Sequence, residues 1–224
     1  MRPQLSSGLL ALTLAASGAW GAVEPSLFEE GSHCVAYRVQ NTMFFFKTDT
    51  VTGKNCEVSA QVLPEVGGLY LIEVNIPIRG FNSDDSERDK DVMKILKADE
   101  RPEMTFKSMS HSVEKWREMF AKSSFELAGE LFIGDKSYPV KLNSRYIQRD
   151  DSSEIDGQGS VRFQDLGLTP PTVGGGVLAR VKPDLELHFH FTSQRILGAD
   201  SIRPVTLAAP KITVPVKVDS RKGD

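Results

Sequence analysis

The chain has 224 residues, of which 40% are hydrophobic, and a formal net charge of −3 at pH 7. Acidic and basic residues are mixed along the sequence, which excludes the basic patch expected of a nucleic-acid-binding protein or of a segment that binds a membrane surface. Once an N-terminal leader is set aside, the length suits one large domain rather than two.

The N-terminus predicts an export signal over residues 1–21. Arg2 provides a positive first region, and the apolar stretch 9–16 is too short to cross a bilayer. The small residues Ala19 and Gly21 occupy the two positions that precede the expected cleavage site. We therefore expect a cleaved signal peptide and a soluble mature protein that is periplasmic or secreted.

Two cysteines, Cys34 and Cys56, remain after cleavage. In an oxidising compartment an isolated pair is more typical of a disulfide than of a metal site, and the two flank a hairpin expected around position 45. One observation opposes the pairing, because Cys56 shares its face with Val58 whereas Cys34 shares its face with Arg38. A bulge or a change of register must separate the two cysteines if they pair.

Downstream of the leader, apolar and polar residues alternate with the period of half-buried strands. The predicted strands are 35–39, 43–47, 57–62, 70–78, 104–109, 125–133, 138–146, 155–163 and 185–191, with turns at 53–55, 67–68, 134–135 and 150–153. One polar face and one apolar face suit an antiparallel sheet, and closure into a barrel removes exposed edges. We predict an all-β antiparallel eight-stranded barrel over residues 30–198, and a two-sheet sandwich remains the alternative.

Two segments depart from this alternation and predict short helices. Residues 86–97 carry apolar side chains at roughly helical spacing, and Val113, Trp116 and Phe120 form the apolar side of a second helix. Each helix either simply covers the core, which we favour, or packs over a mouth of the barrel or against its wall. Residues 199–224, with three prolines among apolar residues, form a tail that is either an edge strand or disordered.

No catalytic constellation emerges. The sequence has no G-x-S-x-G motif and no cysteine plausibly paired with a histidine base. Glu186, His188 and His190 share one face of a strand and could meet at a metal, but we favour a solvated outer face for this strand. The acidic run 84–91 lacks the glycine and closing glutamate of a calcium loop. We therefore predict no enzyme activity, no metal site and no catalytic cofactor.

The residues that carry the most information about function are apolar. The inward faces of the predicted strands provide fourteen candidate lining residues: Phe44, Phe46, Tyr70, Ile72, Val74, Ile76, Phe106, Phe125, Leu127, Leu131, Val140, Leu142, Phe189 and Phe191. Such residues either line a tunnel for a lipid chain or fill the core. The first interpretation predicts a lipid-binding protein, since each buried methylene contributes about 0.8 kcal/mol. The second predicts an envelope interaction or stress-response module with a filled barrel.

Three blocks of the sequence resemble the YceI-like family. Residues 82–89, followed by 102–107, are similar to its Arg-Asp loop, short helix and P-x-x-x-F strand. Residues 129–142 resemble its glycine-bounded hairpin with a Pro-Val pair in the second strand. Residues 163–168 and 184–191 resemble its closing D-x-G segment and final strand.

This resemblance implies a periplasmic lipocalin-like barrel whose tunnel holds a polyisoprenoid, an isoprenoid quinone or a fatty-acyl amphiphile for transport or sequestration. It implies no known reaction and no bound group other than such an isoprenoid lipid. An amphiphilic lipid is the expected partner, together with transient membrane contact and a homodimer. Arg88 and Asp89 belong to the signature block, and we interpret them as a charged pair that fixes the loop before the helix. Contact with a lipid headgroup is the alternative.

Overall fold

The computed structural model describes residues 27–43, 47–149, 152–173 and 179–204. The predicted signal peptide lies outside the described residues, as do Phe44, Phe46 and the tail after residue 204. Within the described ranges, no helix combines the length and apolar character needed to cross a bilayer.

The described chain is dominated by strands, with two helices. The strands are β1 (Cys34–Met43), β2 (Lys47–Asn55), β3 (Ser59–Glu65), β4 (Leu69–Pro77), β5 (Glu103–Ser108), β6 (His111–Ser112), β7 (Phe125–Ile133), β8 (Lys136–Gln148), β9 (Ser153–Arg162), β10 (Thr172–Val173), β11 (Ala179–Thr192) and β12 (Ile196–Leu197). The helices are α1 (Ser86–Leu96) and α2 (Val113–Phe120). The turn predicted at 53–55 is wrong, because Gly53, Lys54 and Asn55 end β2 and pair with β1.

All twelve strands belong to one sheet, and ten of them follow the order β12-β3-β4-β5-β7-β8-β9-β11-β1-β2. Neighbours along this path are antiparallel except for β12 and β3, which are parallel. In the part of the chain that the structure describes, no ladder joins β2 to β12, so the sheet curls into an open half-barrel. The all-β antiparallel fold with two helices is confirmed, whereas the eight-stranded closed barrel is wrong in strand number and in closure.

Two local contacts, a backbone bridge and a disulfide, lie beside the open edge, where a closed barrel would have a strand ladder. Lys54 in β2 forms an isolated bridge with Asn82, in which each backbone amide donates to the other residue's carbonyl at 2.8 Å. The disulfide between Cys34 and Cys56 ties the start of β1 to the segment between β2 and β3. Cys56 lies in neither strand, so the alternation that opposed the pairing does not extend to it.

Helix α2 closes one end of the half-barrel. Trp116 is completely buried, and its ring nitrogen donates to the carbonyl of Tyr70 at 2.9 Å. Phe120 stacks on Tyr146 with ring centroids 4.7 Å apart. The buried face of this helix therefore joins the starts and ends of strands that lie far apart in sequence.

The first residues of the predicted tail pack at the same end. Ile202 is 3% exposed, and Ala199 is also buried. Arg117 in α2 donates through Nε to the carbonyl of Arg203 at 3.2 Å. Thus the packed structure continues past the predicted boundary at residue 198.

Helix α1 begins at a side-chain cap and ends in a left-handed residue. The carboxylate of Asp85 accepts hydrogen bonds from the amides of Glu87 and Arg88 at 3.1 and 3.2 Å, which satisfies two amides of the first turn. Lys97 ends the helix with φ of 55°. The apolar side of α1 faces the open interior of the sheet.

Candidate functional site

The inward face of the curled sheet surrounds a cavity of about 100 Å³, which we call the inner chamber. Alternate residues of each strand reach it, as the pleat of a strand requires. Its lining residues are Val35, Ala36, Tyr37, Ile72, Val74, Ile76, Phe81, Met104, Phe106, Leu127, Leu131, Val140, Leu142, Ile155, Leu187, His188, Phe189, Phe191 and Ile196. The walls are apolar apart from Tyr37 and His188, and the His188 ring contacts Glu186 at 3.2 Å.

A second cavity of about 400 Å³, the outer chamber, lies between the sheet and α1. Its lining residues are Tyr37, Val39, Asn41, Val51, Phe81, Asp85, Glu87, Arg88, Asp91, Val92, Ile95, Leu96, Met104, Leu131, Ile133, Phe163, Leu166, Leu168, Pro171, Val181, Leu185 and Leu187. The residues common to both chambers are Tyr37, Phe81, Met104, Leu131 and Leu187. The chambers are therefore contiguous, and the outer one has the size of a small-molecule site.

Most of the predicted lining residues lie at the inner chamber. These are Ile72, Val74, Ile76, Phe106, Leu127, Leu131, Val140, Leu142, Phe189 and Phe191. Tyr70 and Phe125 lie instead beside α2, where Tyr70 binds Trp116 and Phe125 contacts the Phe120 ring. Phe44 and Phe46 are outside the described residues.

Several lining residues are not among the fourteen that the sequence pattern predicts. Tyr37 and Leu187 lie on the inward faces of β1 and β11, two residues from other wall positions, so alternation alone was sufficient to find them. Val92 and Ile95 lie on α1, for which packing against the wall is one of the alternatives that the sequence allows. Phe81 follows a short helical turn, and no periodic pattern marks it.

Arg88 and Asp89 lie within the first turns of α1 rather than in the preceding loop. The Arg88 guanidinium pairs with Asp85 at 3.2 Å, and Asp89 accepts from the amide and hydroxyl of Ser83 at 3.0 and 2.6 Å. Each signature residue thus fixes a different residue of the loop, and the described ion pairs do not join Arg88 to Asp89.

Three polar side-chain atoms of the outer chamber are buried. They are the hydroxyl of Tyr37, the side-chain oxygen of Asn41 and Nε of Arg88. Burial is the main cause that raises the pKa of Tyr37 above its ordinary value, so its hydroxyl is protonated at neutral pH. Buried polar groups normally have partners. Asn41 and Arg88 have none at these atoms among the described residues, whereas the Tyr37 hydroxyl has the Ser83 side chain as a hydrogen-bonding neighbour.

The outward face of β11 is not solvated at His190, contrary to prediction. His190 is 4% exposed, and its Nε2 lies 3.7 Å from the buried carboxylate of Glu154. Glu154 also accepts from the amide of Gly31 at 2.9 Å and from Arg149 at 3.1 Å. The segment around Gly31 therefore covers this part of the sheet.

His33 completes this group, which we call the outer cluster (His33, Arg149, Glu154 and His190). It is 1% exposed, and its ring lies 4.8 Å from that of Phe191. Burial, reinforced by the charges of Arg195 and His190 and opposed by a backbone contact with Thr192, lowers the pKa of His33 to about 4. The ring is consequently neutral at neutral pH.

The three residues considered as metal ligands, Glu186, His188 and His190, do not meet at one point. His188 contacts Glu186, whereas His190 faces Glu154 on the neighbouring strand. Across the described ranges, no group of three or more histidine, cysteine, aspartate or glutamate residues is arranged to hold a metal ion.

Comparison with known proteins gives a family match over most of the chain. A model described as the YceI-like domain matches residues 30–193. BcnA from Burkholderia cenocepacia is 15% identical, with a TM-score of 0.51, and the match covers 70% of this chain and 95% of BcnA. None of the curated proteins matches this sequence significantly.

Two further solved structures are similar at lower scores. The YceI protein of Campylobacter jejuni is 14% identical, with a TM-score of 0.44, over 83% of this chain and 97% of that one. A polyisoprenoid binding domain from Saccharophagus degradans is 10% identical, with a TM-score of 0.48, over 70% of this chain and 92% of that one. The likeness to BcnA, at 15% identity, concerns the fold alone.

Proposed function

This chain belongs to the YceI-like family, and from that premise we propose that it binds an amphiphilic lipid in its two chambers. The lipid is a polyisoprenoid, an isoprenoid quinone or a fatty-acyl amphiphile, held for transport or sequestration in the periplasm or outside the cell. The protein acts by binding rather than by catalysis. The group held in the chambers is the lipid itself, and no further cofactor takes part.

The observation that carries this proposal is the contiguity of the two chambers through a shared apolar wall. An apolar cavity stays dry, so a hydrocarbon chain that enters it displaces little bound water. Each methylene that leaves water contributes about 0.8 kcal/mol, and no charged anchor is needed for tight binding. Association and ordering costs offset part of this gain.

The direction of binding follows from the two ends of the half-barrel. Helix α2 closes the inner end with the buried rings of Trp116 and Phe120. The outer end has the carboxylates and guanidinium of α1 at its wall. The apolar tail therefore enters first and reaches the inner chamber, while the polar end of the lipid stays beside α1.

Native mass spectrometry of the protein purified from its exporting host tests this proposal. We expect a mass increment that organic extraction removes and that lipid analysis identifies as a single long-chain amphiphile. The extracted protein should then bind one equivalent of a long-chain lipid. Repeated recovery of empty protein that takes up no added lipid would contradict the proposal.

The small volume of the inner chamber favours a second candidate. About 100 Å³ is below the size of common ligand sites, as expected if side chains fill that end of the sheet. In this case the protein is an envelope interaction module. An experimentally determined interior without room for a chain, together with a partner bound by the outer surface, would support it.

Transient membrane contact is also proposed, since a lipid carrier must exchange its cargo with a bilayer. A homodimer is proposed as a separate expectation. Sedimentation of the purified protein with and without lipid vesicles measures both. A monomer that never associates with vesicles while still delivering lipid would argue against them.

A further inference from the structure

We propose that Phe81 is a gate between the two chambers. Its ring must move aside before a lipid tail passes from the outer chamber into the inner one, so it controls how fast long tails are loaded and released. The inference rests on the proposed function, because it concerns the path of a tail whose binding that proposal assumes. It adds a residue that discriminates between tails by their length.

Phe81 differs from the other residues common to both chambers in how its backbone is held. The other four lie in strands that have a paired strand on each side: Tyr37 in β1, Met104 in β5, Leu131 in β7 and Leu187 in β11. Phe81 lies outside the strands, directly after the short helical turn Ile78–Gly80. Its amide donates to the carbonyl of Ile78 at 3.4 Å, which is longer than the ordinary distance of about 2.9 Å. Phe81 is therefore the member of the shared wall that can move without breaking a strand ladder.

The segment that carries Phe81 is fixed at both ends. Ile78 is completely buried, and its amide donates to the carbonyl of Pro102 at 2.8 Å. Asn82 forms two backbone hydrogen bonds of 2.8 Å with Lys54 in β2. A rotation of the Phe81 side chain, with small adjustments in residues 79–81, thus requires no movement of the sheet or of either fixed end.

The rings of Phe81 and Tyr37 meet at the shared wall. Their centroids are 5.5 Å apart and their planes are inclined at 54°, an arrangement in which aromatic rings attract each other. Tyr37 is the less movable of the two, because its ring lies over Gly53, where a side chain would collide with it. An entering tail therefore displaces Phe81 rather than Tyr37. The attraction within such a ring pair lowers the population of the open arrangement about two- to tenfold.

Asn55, the last residue of β2, holds the turn before Phe81 in place. Asn55 is 1% exposed; its Nδ2 donates to the carbonyl of Pro77 at 2.7 Å, and its Oδ1 accepts from the amide of Glu57 at 2.9 Å. Gly80 lies so close to this side chain that a Cβ would collide with it. Asn55 lines neither chamber, but it supports the residue that precedes Phe81. It is consequently a positioning residue for the gate.

Tail length decides whether the gate matters. A short tail remains in the outer chamber of about 400 Å³ and does not pass the Phe81 ring. A long tail extends into the inner chamber, where each further methylene strengthens binding about fourfold. Since a gate lies on the path in both directions, removing it accelerates loading and release together and leaves the equilibrium affinity nearly constant.

Loading rates of an octyl and a hexadecyl alcohol test the gate. Both probes carry the same fluorophore at the polar end, and stopped-flow fluorescence follows their binding to the delipidated full chain and their release from it. Phe81→Ala should accelerate both rates of the hexadecyl probe about two- to tenfold and keep its affinity within about threefold, while the rates of the octyl probe stay unchanged. Phe81→Leu should act in the same direction with a smaller effect, and it provides the test if the alanine protein does not fold.

The matched control is Phe132→Ala. Phe132 lies at neither chamber, on the outward face of β7 beneath Lys107, and this variant should alter none of the rates. Unchanged hexadecyl rates in a folded Phe81 variant overturn the gate, and so does equal acceleration of both probes or equal acceleration by Phe132→Ala. The proposed function survives these outcomes, because the native protein still binds the hexadecyl probe. A native protein that binds neither probe overturns the proposed function and the gate together.

A double-mutant cycle tests the part assigned to Asn55. Asn55→Ala should accelerate hexadecyl loading in the native background, because the turn before Phe81 loses its support. In the Phe81→Ala background the same substitution should add nothing, since the ring that it positions is absent. Equal acceleration in the two backgrounds would show that Asn55 acts on loading by another route, which contradicts its role as a positioning residue.

Discussion

The C-terminal end of strand β11, residues 189–192, is buried on both faces, but the two faces are built from different chemistry. Inward, Leu187 and Phe189 line the chambers through apolar contacts. Outward, His190 lies beneath the segment around Gly31, against a carboxylate that binds a backbone amide and an arginine. Apolar contacts are non-directional, so the inner face can surround either an empty cavity or a bound lipid chain. The outer cluster depends on defined hydrogen bonds and protonation states. Its contribution to stability should therefore depend on pH and not on the shape of the bound lipid.

Obstructing the inner face should have the largest effect. Leu187 lies at the wall common to both chambers, so Leu187→Trp places a ring between them. Excluding about six methylenes from the inner chamber at about 0.8 kcal/mol each should weaken binding of a long-chain lipid by roughly 3,000-fold. Isothermal titration with a long-chain lipid measures this.

The neighbouring residue offers the matched control. Glu186→Trp inserts the same ring on the opposite face of β11 and should leave lipid affinity within about threefold. If both variants bind lipid equally well, the chambers are not the binding site.

The disulfide supports the outer side of the open edge and should matter to stability rather than to binding. Cys34 pairs with His190 across β1 and β11, and its bridge to Cys56 closes a loop with a sequence separation of 22. Chain-entropy arguments give about 3 kcal/mol for a loop of this length. The Cys34→Ser/Cys56→Ser variant should therefore lose about 3 kcal/mol in the free energy of unfolding by urea. A loss below about 1 kcal/mol would indicate that the open edge needs no such link.

His33 should give the outer cluster its pH dependence. Its pKa is about 4 in the fold against 6.5 as the ordinary value, so the unfolded chain binds a proton more readily. The stabilisation is therefore complete above pH 6.5 and is lost as the pH falls toward 4. At pH 4.5 the loss from this residue is about 2 to 3 kcal/mol.

The variant His33→Phe removes this titration and retains a ring against Phe191. We expect the difference in unfolding free energy between pH 7 and pH 4.5 to shrink by about 2 kcal/mol relative to the native sequence. Lipid affinity at pH 7 should not change. Parallel pH profiles for the two proteins would show that another group dominates acid sensitivity.

Some elements could be predicted closely because their signals are local. Strand β7 spans Phe125–Ile133 and helix α2 spans Val113–Phe120, as their spacings indicated. Strand partners are a different matter, since alternation reports which side of a strand is apolar but not which strands are neighbours. The sequence pattern therefore could not predict that the sheet stays open beside β2. The sequence pattern indicates a turn at Gly53, because the role of this glycine, making room for the Tyr37 ring, depends on the strand opposite.

The chemistry of the sites was the least predictable part. The burial of His190 depends on Gly31, which is 123 positions from the carboxylate that binds it. The unpaired Nε of Arg88 is visible only once all its neighbours are known. In contrast, the inward apolar residues of the long strands could be assigned to the interior from spacing alone. Spacing does not distinguish a filled core from a lined chamber, because both require the same residues.

The central claim is that the tail of the bound lipid occupies the inner chamber, and photo-crosslinking tests it most directly. A long-chain lipid with a diazirine at the end of its tail is loaded into the delipidated protein, irradiated and located by peptide mass spectrometry. We predict labels on inward residues at the closed end, such as Leu142, Phe189 or Phe191, and none after Leu187→Trp. Labels confined to the outer surface, or equal labelling of the Leu187→Trp protein, would contradict the claim.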